Sequence, residues 1–223
     1  MVYRVFFGIV FQILLVFGVV ACQKGPNDGD DFATDFTGIN DGRWSTNTGE
    51  PTELQGEWSG CRNASGIGSR ETLTFQGNEV EYAYTIHASL DCRGPLLELI
   101  AHGSFEIGDA TDIPANGKKI TLRFTQFYAT PRTQNLASSL NTENACGINQ
   151  WQSGRTMAIA TSSCSLNEAL RNLSQTNYSV FTVVDGATIF LGEPAGTLNA
   201  LTEATRPDHF YSHGLTKTPF TNY

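Results

Sequence analysis

Among the 223 residues, the side chains able to do chemistry are four histidines, five cysteines and 22 acids. His209 and His213 stand i, i+4 in HFYSH, a spacing that on a helix would turn two imidazoles toward one metal. Pro207 precedes them, Gly214 follows, and no acid occupies the place that an HExxH helix would give it. So short a segment between helix breakers holds no stable helix, and both histidines are expected to be polar residues of the C-terminal tail. No Gly-x-Ser-x-Gly elbow is present, and no glycine-rich phosphate loop joins a strand to a helix. Carboxylates are plentiful, yet no spacing singles out a pair for acid and base work. The expectation is a chain that is not an enzyme, with no catalytic residue, no metal and no cofactor. Cys61, Cys92, Cys146 and Cys164 lack the CxxC or CxH spacing of a zinc site, and Cys22 stands alone at the end of an apolar run.

That run, Val5 to Ala21, carries no charge and is broken only by Gln12, with Arg4 in front of it. This is the outline of a secretory signal. A membrane-crossing helix needs about 20 apolar residues for the ~30 Å hydrocarbon core, so length alone does not separate the two. The end of the run decides. Val19, Val20, Ala21 and Cys22 resemble the lipobox of bacterial lipoproteins: an apolar residue, a small or apolar one, a small one, then cysteine. The resemblance implies that residues 1–21 are a signal peptide, that the Cys22 thiol receives a diacylglycerol, and that the new amino terminus is acylated after cleavage. Ala21 suits a small peptidase pocket, and a thiolate is the nucleophile that forms a thioether. At about 0.8 kcal/mol per buried CH₂, one acyl chain holds weakly and two or more hold firmly, so a fully acylated cysteine, with palmitate or a similar chain, is a stable membrane anchor. Gln23 stands where an aspartate would signal retention, which by the same resemblance implies the outer membrane.

Residues 22–50 are crowded with Gly, Asp, Asn and Thr, and their few apolar residues have no period, so they read as a lipid-anchored flexible linker. As a flexible chain the linker reaches roughly 30 Å. Residues 51–223 then form one domain, long enough for a single core. The domain holds 16 of the 22 acids and 11 of the 14 bases without a basic cluster, which makes nucleic acid a poor partner. Four cysteines in an exported chain read as two disulfides, with three connectivities open. Cys61 with Cys92 and Cys146 with Cys164 are the expected pairs, because each closes a modest local loop.

Apolar residues in this domain recur mostly with period two. Leu73 and Phe75 alternate with Thr72 and Thr74, and after Gly77-Asn78 Tyr82, Tyr84 and Ile86 alternate with Glu81, Ala83 and Thr85. Leu97, Leu99, Ala101, Gly103, Phe105 and Ile107 share one side of the next run. Ile120, Leu122, Phe124 and Gln126 share one side of another, opposite Phe127. Asp185-Gly186 marks a hairpin within YSVFTVVDGATIFLG. Strands through Glu57-Trp58-Ser59 and Arg155 to Ala160 bring the count to about eight, and helices are expected at Thr133 to Glu143 and Asn167 to Leu173. The fold class is all-β, an antiparallel barrel of about eight strands, with a β-sandwich as the alternative.

Gly56-Glu57-Trp58, at the start of the first strand, resembles the Gly-x-Trp signature of lipocalins. The resemblance implies a barrel plugged at one end by Trp58, with a late arginine, Arg206, packed on its face by cation–π attraction. No Thr-Asp-Tyr follows in the middle of the chain, and the segment Pro131 to Arg155 has no usual counterpart. Phe75, Tyr82, Tyr84, Phe105 and Phe124 all fall on the inner face, where they either fill the barrel or wall a cavity for a small apolar or lipid ligand. Three functions stay open, in falling order: a membrane-anchored carrier of such a ligand; a filled-core protein that meets an envelope protein partner through its surface; and an enzyme, which would need a polar cleft with clustered titratable groups at the barrel mouth.

Overall fold

A computed structural model describes residues 53–64, 67–160, 164, 176–193 and 201–218. Cys22, the apolar run before it, the linker and the helix expected at Asn167 to Leu173 lie outside the described residues. The alternating segments form antiparallel strands. β1 (Gly56–Ala64), β2 (Ile67–Gln76), β3 (Glu79–His87), β4 (Pro95–Thr111) and β5 (Gly117–Pro131) make a meander in which each pairs with the next. After helix α1 (Gln134–Thr142) and the short strand β6 (Met157–Ala158), the hairpin of β7 (Thr176–Val184) and β8 (Thr188–Leu191) leads to β9 (Leu215–Lys217). β7 pairs with β5, β8 with β7 and β9 with β8, and β9 returns to β1. The result is a closed eight-stranded antiparallel barrel, which satisfies the strand edges a flat sheet would expose. β6 is accessory to this ring, pairing with Tyr128 and Ala129 of β5 beyond the point where β7 stops at Arg123.

The lower end of the barrel holds the start of β1 and the β2–β3, β4–β5 and β7–β8 turns. The upper end holds the β3–β4 loop and the long segment between β5 and β7. In the β7–β8 turn Asp185 and Gly186 have φ of 53° and 65°, and Ala187 N donates to Val184 O. Val184 pairs with Thr188, so the loop is Asp185, Gly186 and Ala187, and positive φ is adopted more readily by Asp and Gly than by most residues.

The lower end is filled. Trp58 and Leu54 are fully buried, and the Trp58 indole N–H donates to the Leu54 carbonyl at 2.6 Å. Phe75 and Phe105 meet edge to face at 4.9 Å, and Ile120, Phe181 and Ile189 complete the packing.

One stretch departs from simple alternation. His102 pairs with Gln126, but Gly103 pairs with Phe124, so Thr125 is an extra residue on β5. A bulge of this kind reverses the facing of everything beyond it. Phe127, expected outside, is therefore buried, and Gln126, expected inside, is exposed. Ile107 is also outside the core at 36 % exposure, because β4 beyond Ser104 pairs with β5 alone and leaves the ring.

Both disulfides form as expected. Cys61–Cys92 ties the outer face of β1 to the β3–β4 loop, and Cys146–Cys164 ties the segment after α1 to the approach to β7. α1 begins at Thr133, whose side chain accepts from Leu136 N, and it buries Leu136, Ala137 and Leu140. Trp151 is held by Asn141, whose side chain bonds its N–H at 2.6 Å and its carbonyl at 2.9 Å. These residues join one core cluster with Leu97, Leu99, Phe127 and Ala129, so α1 and its disulfide cap the β4–β5–β6 side of the upper end.

Candidate functional site

Directly paired residues of an antiparallel ladder share a face, so the registers stack the inner wall in levels. Lys217, Trp58, Leu73, Tyr82 and Ala101 form one level. Gly60, Glu71, Tyr84 and Leu99 form the next above it, and Arg62, Ser69, Ile86 and Leu97 the next. The lowest of the three is apolar apart from the Lys217 ammonium and the Tyr82 hydroxyl. The upper two carry an ion pair on the inside of the barrel.

Arg62 Nη2 lies 2.6 Å from Glu71 Oε2, with the two side chains 27 % and 13 % exposed. The Tyr82 hydroxyl hydrogen-bonds Glu71, and Ser69 and Tyr84 hydrogen-bond each other. The segment leading into β9 closes over the pair. The Arg62 guanidinium lies 4.9 Å from the Tyr211 ring centroid, and the Tyr211 ring is 5.1 Å from the His213 imidazole. Among the described residues, Arg62 Nε and His213 Nε2 are buried with no hydrogen-bond partner. A buried polar atom left without a partner costs about 1–3 kcal/mol.

Burial governs the titration of this cluster. It raises the Glu71 carboxyl above its ordinary value, with Arg62 and the Tyr82 hydrogen bond pulling only part of the way back. It raises both tyrosines as well, Tyr82 strongly, and the Glu71 charge adds to the effect. His213 is lowered, first by burial and then by the Arg62 charge, so it is neutral at neutral pH. A buried ion pair of this kind is poor value for stability, since well-packed apolar residues in its place are often neutral or stabilising by about 1–4 kcal/mol.

The five aromatic residues expected to line the interior divide into two groups. Phe75, Phe105 and Phe124 are buried members of the filled core, whereas Tyr82 and Tyr84 pack against that core and stay half-buried, as do Ile86, Leu122 and Leu191. Trp58 is at the plugged end as expected, but the cation on its ring is Lys217, with Nζ 4.9 Å from the centroid. Arg206 is elsewhere. It lies on the outer wall against Tyr178, where it donates to the carbonyls of Ile120 and Ser179 and pairs with Glu203. Lys217 takes the inner place because it pairs directly with Trp58 across β1 and β9. His209 is exposed and pairs with Asp208 and Glu193, whereas His213 packs on Tyr211. Among the described residues no three His, Cys, Asp or Glu side chains gather to hold a metal.

Sequence reasoning missed Arg62, Glu71 and Tyr211, and it read His213 as a polar residue of the tail. The signal was available for Glu71, because alternation carried back from Phe75 and Leu73 places it on the inner face. Compared with known proteins, the chain matches no protein-family model and no curated protein.

Proposed function

We propose that this chain is a non-catalytic outer-membrane lipoprotein, anchored through an acylated Cys22, whose lipocalin-like barrel holds a small apolar or amphipathic lipid ligand at its upper end. The observation that carries this reading is the ion pair on the inner wall. A core that serves stability alone is packed with apolar side chains throughout, as the lower end is around Trp58 and Phe75. Here Arg62 and Glu71 occupy inward positions beside half-buried Tyr82, Tyr84 and Ile86. Apolar walls with a few convergent polar groups are the usual make-up of a ligand site.

Native mass spectrometry of the chain carrying Cys22→Ser, purified from the periplasm, tests the carrier function. A co-purified small molecule, released on unfolding, is the expected result. A bare protein that also fails to bind an apolar fluorescent probe would favour the second reading, an envelope protein that meets a partner through its outer surface. The filled lower end is what supports that alternative. Labelled palmitate should enter the wild-type chain and not the Cys22→Ser chain.

A further inference from the structure

Resting on the ligand-binding reading above, we infer that the ligand is an amphipathic carboxylate whose head group takes the place of Glu71 on Arg62, with Glu71 binding one proton in the exchange. The argument begins with the guanidinium. Its Nε and Nη2 point along one edge, the edge that receives a planar carboxylate through two parallel hydrogen bonds. Glu71 meets Nη2 at 2.6 Å and does not reach Nε, which is buried with no hydrogen-bond partner among the described residues. The Tyr211 ring packs against the guanidinium, its centroid 4.9 Å from the guanidinium carbon. His213 Nε2, beside Tyr211, is a second buried polar atom with no hydrogen-bond partner among the described residues. An incoming carboxylate therefore gains a charge-assisted pair of bonds that Glu71 alone does not make.

Charge balance sets the condition. With Glu71 ionised the pair is neutral, and a second carboxylate would meet a like charge a few ångströms away. Protonation of Glu71 removes that repulsion and leaves Arg62 to the ligand. The groups that act on Glu71 allow it: Arg62 on β1 and Tyr82 and Tyr84 on β3, with Ser69 bonded to Tyr84 and with Tyr211 and His213 beside Arg62 on the approach to β9. Its neighbours on β4 at these levels, Leu97, Leu99 and Ala101, carry no charge. Burial already favours the protonated form, and the neutral acid keeps its hydrogen-bond partner in Tyr82. The tail of the ligand would lie against Ile86, Leu97, Leu99 and Leu191, the apolar side chains that share this end of the interior.

The test is a titration of the Cys22→Ser chain with dodecanoate and with dodecanol, which share a tail and differ in the head, followed by calorimetry from about pH 6 to about pH 8. If each bound carboxylate carries one proton onto Glu71, the dodecanoate Kd rises roughly tenfold per pH unit over that range, and runs in buffers of different ionisation enthalpy show uptake of about one proton. Dodecanol binding should not change with pH. Glu71→Gln, which keeps the shape and a hydrogen bond to Arg62, should bind dodecanoate more tightly and flatten its pH profile; should that variant not fold, the proton count in the wild type decides. Equal, pH-independent binding of both probes would overturn the head-group assignment and leave the carrier function standing. Binding of neither would overturn the carrier function itself. A pH slope that survives Glu71→Gln would assign the proton to His213 and overturn the role given to Glu71.

Discussion

Replacing Arg206 with alanine should destabilise the barrel by about 3 kcal/mol, well beyond the effect of removing the cation that touches the plug. Arg206 is 9 % exposed, and from the outer wall it bridges two strands: Nη1 donates to the Ile120 carbonyl of β5 at 2.8 Å and to the Ser179 carbonyl of β7. Ile120 and Ser179 are direct register partners, so the guanidinium staples one rung of the ladder. Hydrogen bonds from a charged donor contribute about 1.5–3 kcal/mol each, although water reaching the freed carbonyls would return part of that. The ring of Tyr178, with its centroid 5.2 Å from the guanidinium carbon, adds about 0.5–1 kcal/mol. The pair with Glu203, which is 55 % exposed, contributes about 0–1 kcal/mol after screening. Lys217→Ala removes one cation–π contact and should cost about 0.5–1 kcal/mol. Urea unfolding followed by tryptophan fluorescence measures both, with an unchanged m-value as the condition for comparing midpoints. If Arg206→Ala lost less than about 1 kcal/mol, or no more than Lys217→Ala, the outer-wall staple would be wrong and the inner plug would deserve the larger role.

Removing the Cys61–Cys92 bridge by paired serine substitutions should cost about 3.7 kcal/mol, from chain entropy over a sequence separation of 31; the Cys22→Ser background keeps the unfolded reference free of other thiol chemistry. Glu203 and Glu71 should give pH profiles of opposite sign. Hydrogen bonds from Arg206 and Lys119 hold Glu203 down at about 2 against 4.5, so its stabilisation is complete above pH 4.5 and fades as pH falls toward 2, a decline that Glu203→Gln should flatten. Glu71 is raised above 4.5, so its ionisation costs stability as pH climbs through the interval above 4.5, and Glu71→Gln should gain on the wild type in that direction. Gly186→Ala, at φ 65° in the β7–β8 turn, should cost about 1–2 kcal/mol in the same unfolding assay.

The meander and the β7–β8 hairpin were legible in the sequence because each has one wet face and local turns. Period-two alternation in Leu73–Phe75 or Tyr82–Ile86 and the Asp185-Gly186 pair are signals within a few residues of each other. The closing strand was not. Leu215 to Lys217 is too short to show a period, and it counts as a strand because β1 and β8 stand on either side of it. The expected eighth strand, at Arg155 to Ala160, is instead the accessory β6. Phe127 was hidden for a related reason, since a bulge is a property of two strands together and leaves no mark in one. Arg206 was misplaced because Gly-x-Trp asks for a cation on Trp58, and only the pairing of β1 with β9 shows that Lys217 is the one in register.

The charged pair is the harder lesson. Arg62 and Glu71 sit in strands whose other inner residues include Trp58, Leu73 and Phe75, and charge normally marks the wet face. A reader of the sequence discounts them as outer residues, although the alternation places Glu71 inside. Where period and polarity disagree on a strand, the period describes the backbone and the polarity describes what the interior must meet. The lower half of this barrel has no such conflict and is packed. The upper half has it at Arg62, Glu71 and Tyr84, and there the inner wall keeps buried donors and a carboxyl biased toward its acid form. That arrangement costs stability wherever it stands unused, and a ligand bringing its own carboxylate and an apolar tail would offset the cost.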